Sequence, residues 1–299
     1  MRARRLPLTA GRERRLASVP VAVVTDSTAH LPEGFAERHG IRVVPLHVLI
    51  DGVAALDGID VGPVALAEAL GQRRIVTTSR PTPSAFAATF RAALDEGADT
   101  VVSVHLSKRL SGTWESAVLA AQEVGPDRVR VVDSRTTAMG LGFAALHAAA
   151  AAADGASGEE VEAAAVDAAA RSETLFVVET LEYLRRGGRI GHAAALLGTA
   201  LAVKPVLRMD GGEIVPLEKV RTMNRAVGRL VDLAVQAAEE KDIALAVHHL
   251  ASPERAAELA TRLDERLPRS RGCVVSELGA VIGAHTGPGV LGVVVQRPE

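Results

Sequence analysis

Aromatic residues make up only 2% of the 299-residue chain, one tryptophan, one tyrosine and five phenylalanines, so few rings are available for bases to stack on. Basic and acidic residues nearly cancel, 34 against 36 for a formal charge of −2, and no net field draws the chain to nucleic acid. Cys273 is the single cysteine. It excludes an internal disulfide and a thiolate zinc site, and it fits a cytoplasmic location. Lysine is scarce too: Lys108, Lys204, Lys219 and Lys241 leave 34 − 4 = 30 arginines, a bias of GC-rich coding rather than of mechanism. The longest apolar runs, 140–153 and 193–203, are too short or too alanine-rich to cross a bilayer, and the first carries His147. Stable membrane insertion is therefore not expected, and at most transient membrane contact.

Several signatures of chemistry are missing as well. The chain has no G-x-x-x-x-G-K-[ST] and no G-x-S-x-G, and its histidines lack zinc spacing, since His248 and His249 are adjacent and point to opposite faces of a strand. Gly140-Leu141-Gly142-Phe143-Ala144-Ala145 fits G-x-G-x-x-A, but six residues separate it from the strand ending at Asp133. A phosphate turn follows its strand directly, so these glycines are assigned to close packing of a helix. No cofactor and no metal are expected.

What remains is an ordinary globular composition, 48% hydrophobic and 23% charged, long enough for two domains. Residues 1–19 carry Arg2, Arg4, Arg5, Arg12, Arg14 and Arg15 without an apolar signal core and read as a disordered basic arm. From 20 to 157, β-branched runs alternate with helical segments: strands at 21–25, 41–50, 75–78, 100–105 and 129–133, and helices at 31–39, 64–70, 83–94, 113–124 and 136–153. Thr82 before Pro83 and Ser111 before Thr113 are candidate helix caps. Strict alternation implies an α/β domain, a mainly parallel sheet with helices on both faces and ligands at the carboxyl ends of its strands. From 158 to 299 the texture changes. Asp210-Gly211-Gly212 reads as a hairpin turn among helices and strands, which points to a C-terminal α+β domain.

Four polar segments lie where strands end or glycines crowd: Thr77-Thr78-Ser79-Arg80-Pro81, Ser107 to Thr113, Arg186-Gly187-Gly188-Arg189 and Gly283 to Gly289. Hydroxyls, arginines, a histidine and a helix start suit an oxyanion such as a carboxylate or phosphate. Each residue also has a plain structural reading: Ser111 as a cap, Thr78 as a strand end, the His285 segment as a turn.

In order and spacing the chain resembles the DegV family, fatty-acid-binding proteins that serve bacterial fatty acid kinases. The resemblance rests on Val24-Thr25-Asp26-Ser27-Thr28, Val44-Pro45-Leu46, Asp57-Gly58-Ile59-Asp60, Thr78-Ser79-Arg80-Pro81, Leu110-Ser111-Gly112-Thr113, Asp133-Ser134, Gly187-Gly188-Arg189-Ile190, Lys204-Pro205 and His285-Thr286-Gly287-Pro288-Gly289. It implies a non-catalytic carrier that buries one long-chain fatty acid between its two domains, while a separate ATP-dependent kinase phosphorylates the carboxylate. By motif position, Thr78, Ser107, Ser111 and His285 would bind the carboxylate, and Arg189 and Arg221 would meet the kinase or the phosphoryl group. Arg80 and Lys108 depart from the family pattern, which usually has glutamine and often serine there. The rival is an enzyme acting on a small phosphorylated or carbonyl substrate, with His285 as acid/base or nucleophile and Arg189 and Arg221 clamping the anion.

Overall fold

A computed structural model describes residues 21–196, 203–239 and 241–298. The basic arm and part of the apolar run 193–203 lie outside the described residues. The chain opens with β1 (Val21–Asp26), a 3₁₀ turn (Ser27–Ala29), α1 (Phe35–Arg38) and β2 (Ile41–Val44). Then come β3 (His47–Ile50), β4 (Val53–Leu56), α2 (Pro63–Gly71) and β5 (Val76–Ser79). The middle runs α3 (Pro83–Asp95), β6 (Thr100–His105), α4 (Thr113–Val124), β7 (Val129–Asp133), α5 (Met139–Ala153) and α6 (Gly158–Ala170). After β8 (Ser172–Val177) and α7 (Glu182–Arg186) a second 3₁₀ turn (Gly191–Leu196) leads to β9 (Lys204–Asp210), β10 (Glu213–Val220) and α8 (Met223–Ala238). The last elements are β11 (Ala244–His249), α9 (Pro253–Arg266), β12 (Cys273–Glu277), α10 (Ala280–Thr286) and β13 (Leu291–Gln296).

The elements form two compact units, one from residues 21–46 and 80–171, the other from 47–79 and 172–298. In the first, β2-β1-β6-β7 make an all-parallel sheet. Strands buried on both faces need continuous apolar runs, and Val101, Val102 and Val104 of β6 are indeed fully buried. Phe86 and Phe90 of α3 and Ala117 and Ala120 of α4 pack on one face, and α5 and α6 cover the other. Both glycines lie in α5, and at Gly142 a Cβ would lie 2.6 Å from the Ala29 carbonyl, which bears out the packing reading for Gly142.

The second unit contains the six-stranded mixed sheet β10-β9-β8-β13-β11-β12, in which only β11 and β12 run parallel, and the antiparallel sheet β4-β3-β5. Leu230 and Val231 of α8 and Leu259 and Leu263 of α9 pack on Leu175, Val247 and Val293, an apolar stripe at helical spacing closing a sheet face. Read along the chain, a boundary near residue 157 is expected. In space, α6 packs on α5, β6 and β7 through Val161, Ala165 and Ala168, and 47–79 groups with the C-terminal elements.

Local chemistry sets some of the helix starts. Thr82 caps α3 by accepting the Ala85 N–H at 3.2 Å, with Pro83 behind it. Gly112 holds the N-cap position of α4 and makes no side-chain cap bond, yet Ser111 still serves the helix start, its Oγ accepting the Thr113 N–H at 3.3 Å. Ser111 stands one residue before the N-cap, its Oγ also 2.9 Å from Thr113 Oγ1. Ser252 holds the N-cap position of α9 without a capping side-chain bond.

Candidate functional site

The site in the mixed-sheet unit is built around α10. Its N-terminus is fixed by Asp57, a buried side chain whose Oδ1 accepts the N–H groups of Ala280 at 2.8 Å and Val281 at 3.4 Å. Asp57 is itself held in a tight turn, where the Leu56 carbonyl accepts the N–H groups of Ile59, Asp60 and Val61. Midway along α10, Gly283 lets Leu66 and Leu250 approach so closely that a Cβ would meet a Leu250 methyl at 3.0 Å. From the residues alone, the plain reading of 283–289 is a turn. Six of the seven α10 residues are apolar, small or hydroxyl-bearing, and packing from α2 winds Ala280–Thr286 into a helix instead.

The last turn of α10 carries His285. Its Nε2 lies 2.8 Å from Thr78 Oγ1 on β5, joining residues 207 apart in sequence. Its Nδ1 has no hydrogen-bond partner and faces Gly187, where a Cβ would stand 2.7 Å from Cε1 and closer still to Nδ1. That approach requires glycine at 187. Burial, and secondarily the charge of Arg189, pushes the imidazole down to about 4, so it is neutral at physiological pH. A proton on Nδ1 would be a buried donor without an acceptor, so the proton belongs on Nε2 and is donated to Thr78 Oγ1. The Thr78 hydroxyl is then left to donate to an oxyanion, since it can donate once and accept twice.

Thr78 and His285 line a cleft of about 370 Å³ together with Thr77, Tyr183, Gly187 and four arginines, Arg73, Arg74, Arg186 and Arg189. None of its lining residues is acidic. Arg74 Nε donates to Asp51 at 2.6 Å, and Arg186 Nε to Glu182 at 2.7 Å. Hydrogen bonds from Arg185 and then Arg186 hold the Glu182 carboxyl down at about 2. Arg189 Nη1 donates to the Gly187 carbonyl at 2.6 Å. Of the residues singled out from sequence, the cleft thus gathers Thr78, His285 and Arg189. Arg221, exposed after β10, is not among its lining residues. Arg73, Arg74 and Tyr183 were missed. Arg73 and Arg74 follow a short helix where sequence shows only a solvated basic pair.

Ser107 and Ser111 belong to the parallel-sheet unit. Ser107 is buried, its Oγ accepting the Arg109 N–H at 3.2 Å and its own N–H reaching the Thr136 carbonyl at 2.9 Å. The start of this segment is tied to Asp26, whose Oδ2 accepts the Leu106 N–H and lies 3.0 Å from His105 Nδ1. His105 Nε2 is 2.7 Å from Ser103 Oγ. The order Asp26-His105-Ser103 is that of a hydrolase triad, but all three side chains are fully buried, and the network serves to fix the end of β6. The departures at 80 and 108 are engaged locally. Arg80 donates to the Gly112 carbonyl at 3.2 Å, and the Lys108 ammonium lies 4.9 Å over the Trp114 ring and 4.0 Å from Asp133.

Among the described residues no His, Cys, Asp and Glu cluster could hold a metal, and no helix is long and apolar enough to cross a membrane. The chain is 54% identical over 275 residues to a DegV domain-containing protein of Streptomyces coelicolor, covering 92% of this chain and 98% of that one. Two solved structures are similar throughout. A DegV family protein from Thermus thermophilus, described as binding fatty acid, superposes with a TM-score of 0.89 at 37% identity, covering 93% of this chain and 100% of that one. DegV of Bacillus subtilis, described as a fatty acid binding protein, gives a TM-score of 0.85 at 33% identity over 93% and 99% of the two chains. The model of the DegV family of uncharacterised proteins matches residues 20–297, and the chain belongs to that family.

Proposed function

We propose that this protein binds one long-chain fatty acid and presents its carboxylate to a separate ATP-dependent kinase, without catalysing a reaction itself. The observation that carries the reading is the Thr78–His285 pair, a hydroxyl polarised by a neutral imidazole at 2.8 Å in a cleft lined by arginines and no acids. Such a pair donates to a carboxylate through Thr78, while His285 acts behind it. The fatty-acid-binding descriptions of the T. thermophilus and B. subtilis relatives supply the ligand class. An acyl tail contributes about 0.8 kcal/mol for each methylene it buries, so affinity comes mainly from the tail and orientation from the head group.

In the reaction a carboxylate oxygen attacks the γ-phosphorus of ATP held by the kinase. The new O–P bond forms as the bond to the β–γ bridging oxygen breaks, and ADP leaves. This chain supplies positioning of the carboxylate and positive charge for the transferring group from Arg189. Arg221 is assigned to kinase contact, and Ser107 and Ser111 are carried as further carboxylate donors. Native mass spectrometry of the purified protein, followed by calorimetry with a long-chain acid, tests the reading. A co-purified acid, and acyl phosphate formed only when kinase and ATP are added, are expected. Absence of acid binding, or turnover of a small phosphorylated substrate by the protein alone, overturns it.

A further inference from the structure

Four helices end in the same way but for one residue. α3, α5 and α7 close with Gly97, Gly155 and Gly188 at positive φ, where the missing Cβ makes the left-handed conformation cheap. α2 closes with the same pair of hydrogen bonds, Arg73 N–H to the Leu70 carbonyl and Arg74 N–H to the Ala69 carbonyl, each 3.0 Å. Its left-handed residue is Arg73, at φ 59°. A long side chain is held there against the backbone preference. Arg73, exposed, is among the residues lining the cleft with Thr78 and His285, and its guanidinium has no hydrogen-bond or ion-pair partner among the described residues.

The cleft therefore holds more positive charge than one carboxylate needs. Arg74 and Arg186 are matched by Asp51 and Glu182, and Arg189 lies close enough to His285 to depress its protonation. We infer that Arg73, with Arg189, forms an oxyanion subsite for the phosphate of a long-chain acyl phosphate, so that the protein grips the phosphorylated head group more tightly than the acid. Guanidinium groups suit a tetrahedral dianion because they pair through several N–H donors at once. The inference rests on the fatty-acid-binding reading above and adds to it a preference for product over substrate.

The test compares an alkylphosphonate, a stable stand-in for the acyl phosphate, with the fatty acid of equal length by calorimetry, at a pH where the phosphonate is a dianion. Arg73→Gly installs the residue that the backbone favours, so the variant should fold with an unchanged or higher Tm. It should bind the phosphonate dianion about tenfold more weakly, the scale of one lost charge-assisted contact, and lose clearly less affinity for the singly charged fatty acid. Arg73→Lys should recover part of the loss. An unchanged phosphonate-to-carboxylate ratio in Arg73→Gly, or no phosphonate preference in the natural protein, overturns the inference while the carrier reading stands. Failure of both ligands to bind the natural protein overturns both.

Discussion

Replacing Gly187 by alanine isolates the contact on which the proposed head-group site depends. The new methyl would stand 2.7 Å from His285 Cε1, against an ordinary contact of at least 3.4 Å, so the ring must withdraw by 3.4 − 2.7 = 0.7 Å or more. Thr78 closes the other side. Pushed straight back, the ring would compress the 2.8 Å bond to 2.8 − 0.7 = 2.1 Å, which no hydrogen bond tolerates. The imidazole has to swing out, and Thr78 loses the donor that orients its hydroxyl. Leaving a bound carboxylate short of a well-directed donor costs about 1.5–3 kcal/mol, or roughly 10- to 100-fold in Kd. Overpacking adds about 1–3 kcal/mol of lost stability. Calorimetry with a long-chain acid and its matched alcohol should show the loss for the acid alone. Wild-type acid affinity in Gly187→Ala, with the His285 ring resonances unmoved by NMR, would refute the reasoning.

Two further outcomes follow from the same site. His285 titrates near 4 in the folded protein instead of 6.5, so between those values the unfolded chain binds the extra proton. Stability should therefore decline as pH falls from about 6.5 toward 4, with a slope that His285→Gln reduces; an NMR titration midpoint near the ordinary value would refute this. Asp57→Ala removes the acceptor for two N–H groups at the start of α10 and should cost about 1–2 kcal/mol, as lost caps do, and should weaken acid binding. Asp57→Asn keeps the acceptor oxygen and should restore both, which a purely electrostatic role for Asp57 would not allow.

The fold was largely legible because its strands announce themselves. β6 is a buried β-branched run, and Asp210-Gly211-Gly212 marks a hairpin that the structure forms between β9 and β10. What sequence could not show was grouping. Residues 47–79 follow β2 directly, yet their small sheet is counted with elements more than a hundred residues later, and nothing in a local pattern encodes that. α10 was hidden because its glycines look like a turn until Leu66 and Leu250 are seen against Gly283. Of the residues lining the cleft, Thr78, His285 and Arg189 were singled out through motif order rather than geometry. Arg73 left a signal that could have been read: a helix ending in arginine where its counterparts end in glycine.

The interrupted course of the chain sets an order of assembly. The parallel-sheet unit is complete once residue 171 has been made, but the segment 47–79 inside it belongs with elements still to come. During synthesis, which proceeds from the N-terminus with domains folding as units, that segment must wait as a tethered loop. Thr78 acquires its partner only when residue 285 has left the ribosome, 207 positions later. The entropy of closing so long a loop grows only logarithmically, roughly (3/2)RT ln n, so the delay is a matter of timing more than of stability. Nascent or truncated chains that stop short of α10 therefore lack the imidazole, and only a chain finished to that point carries the Thr78–His285 pair.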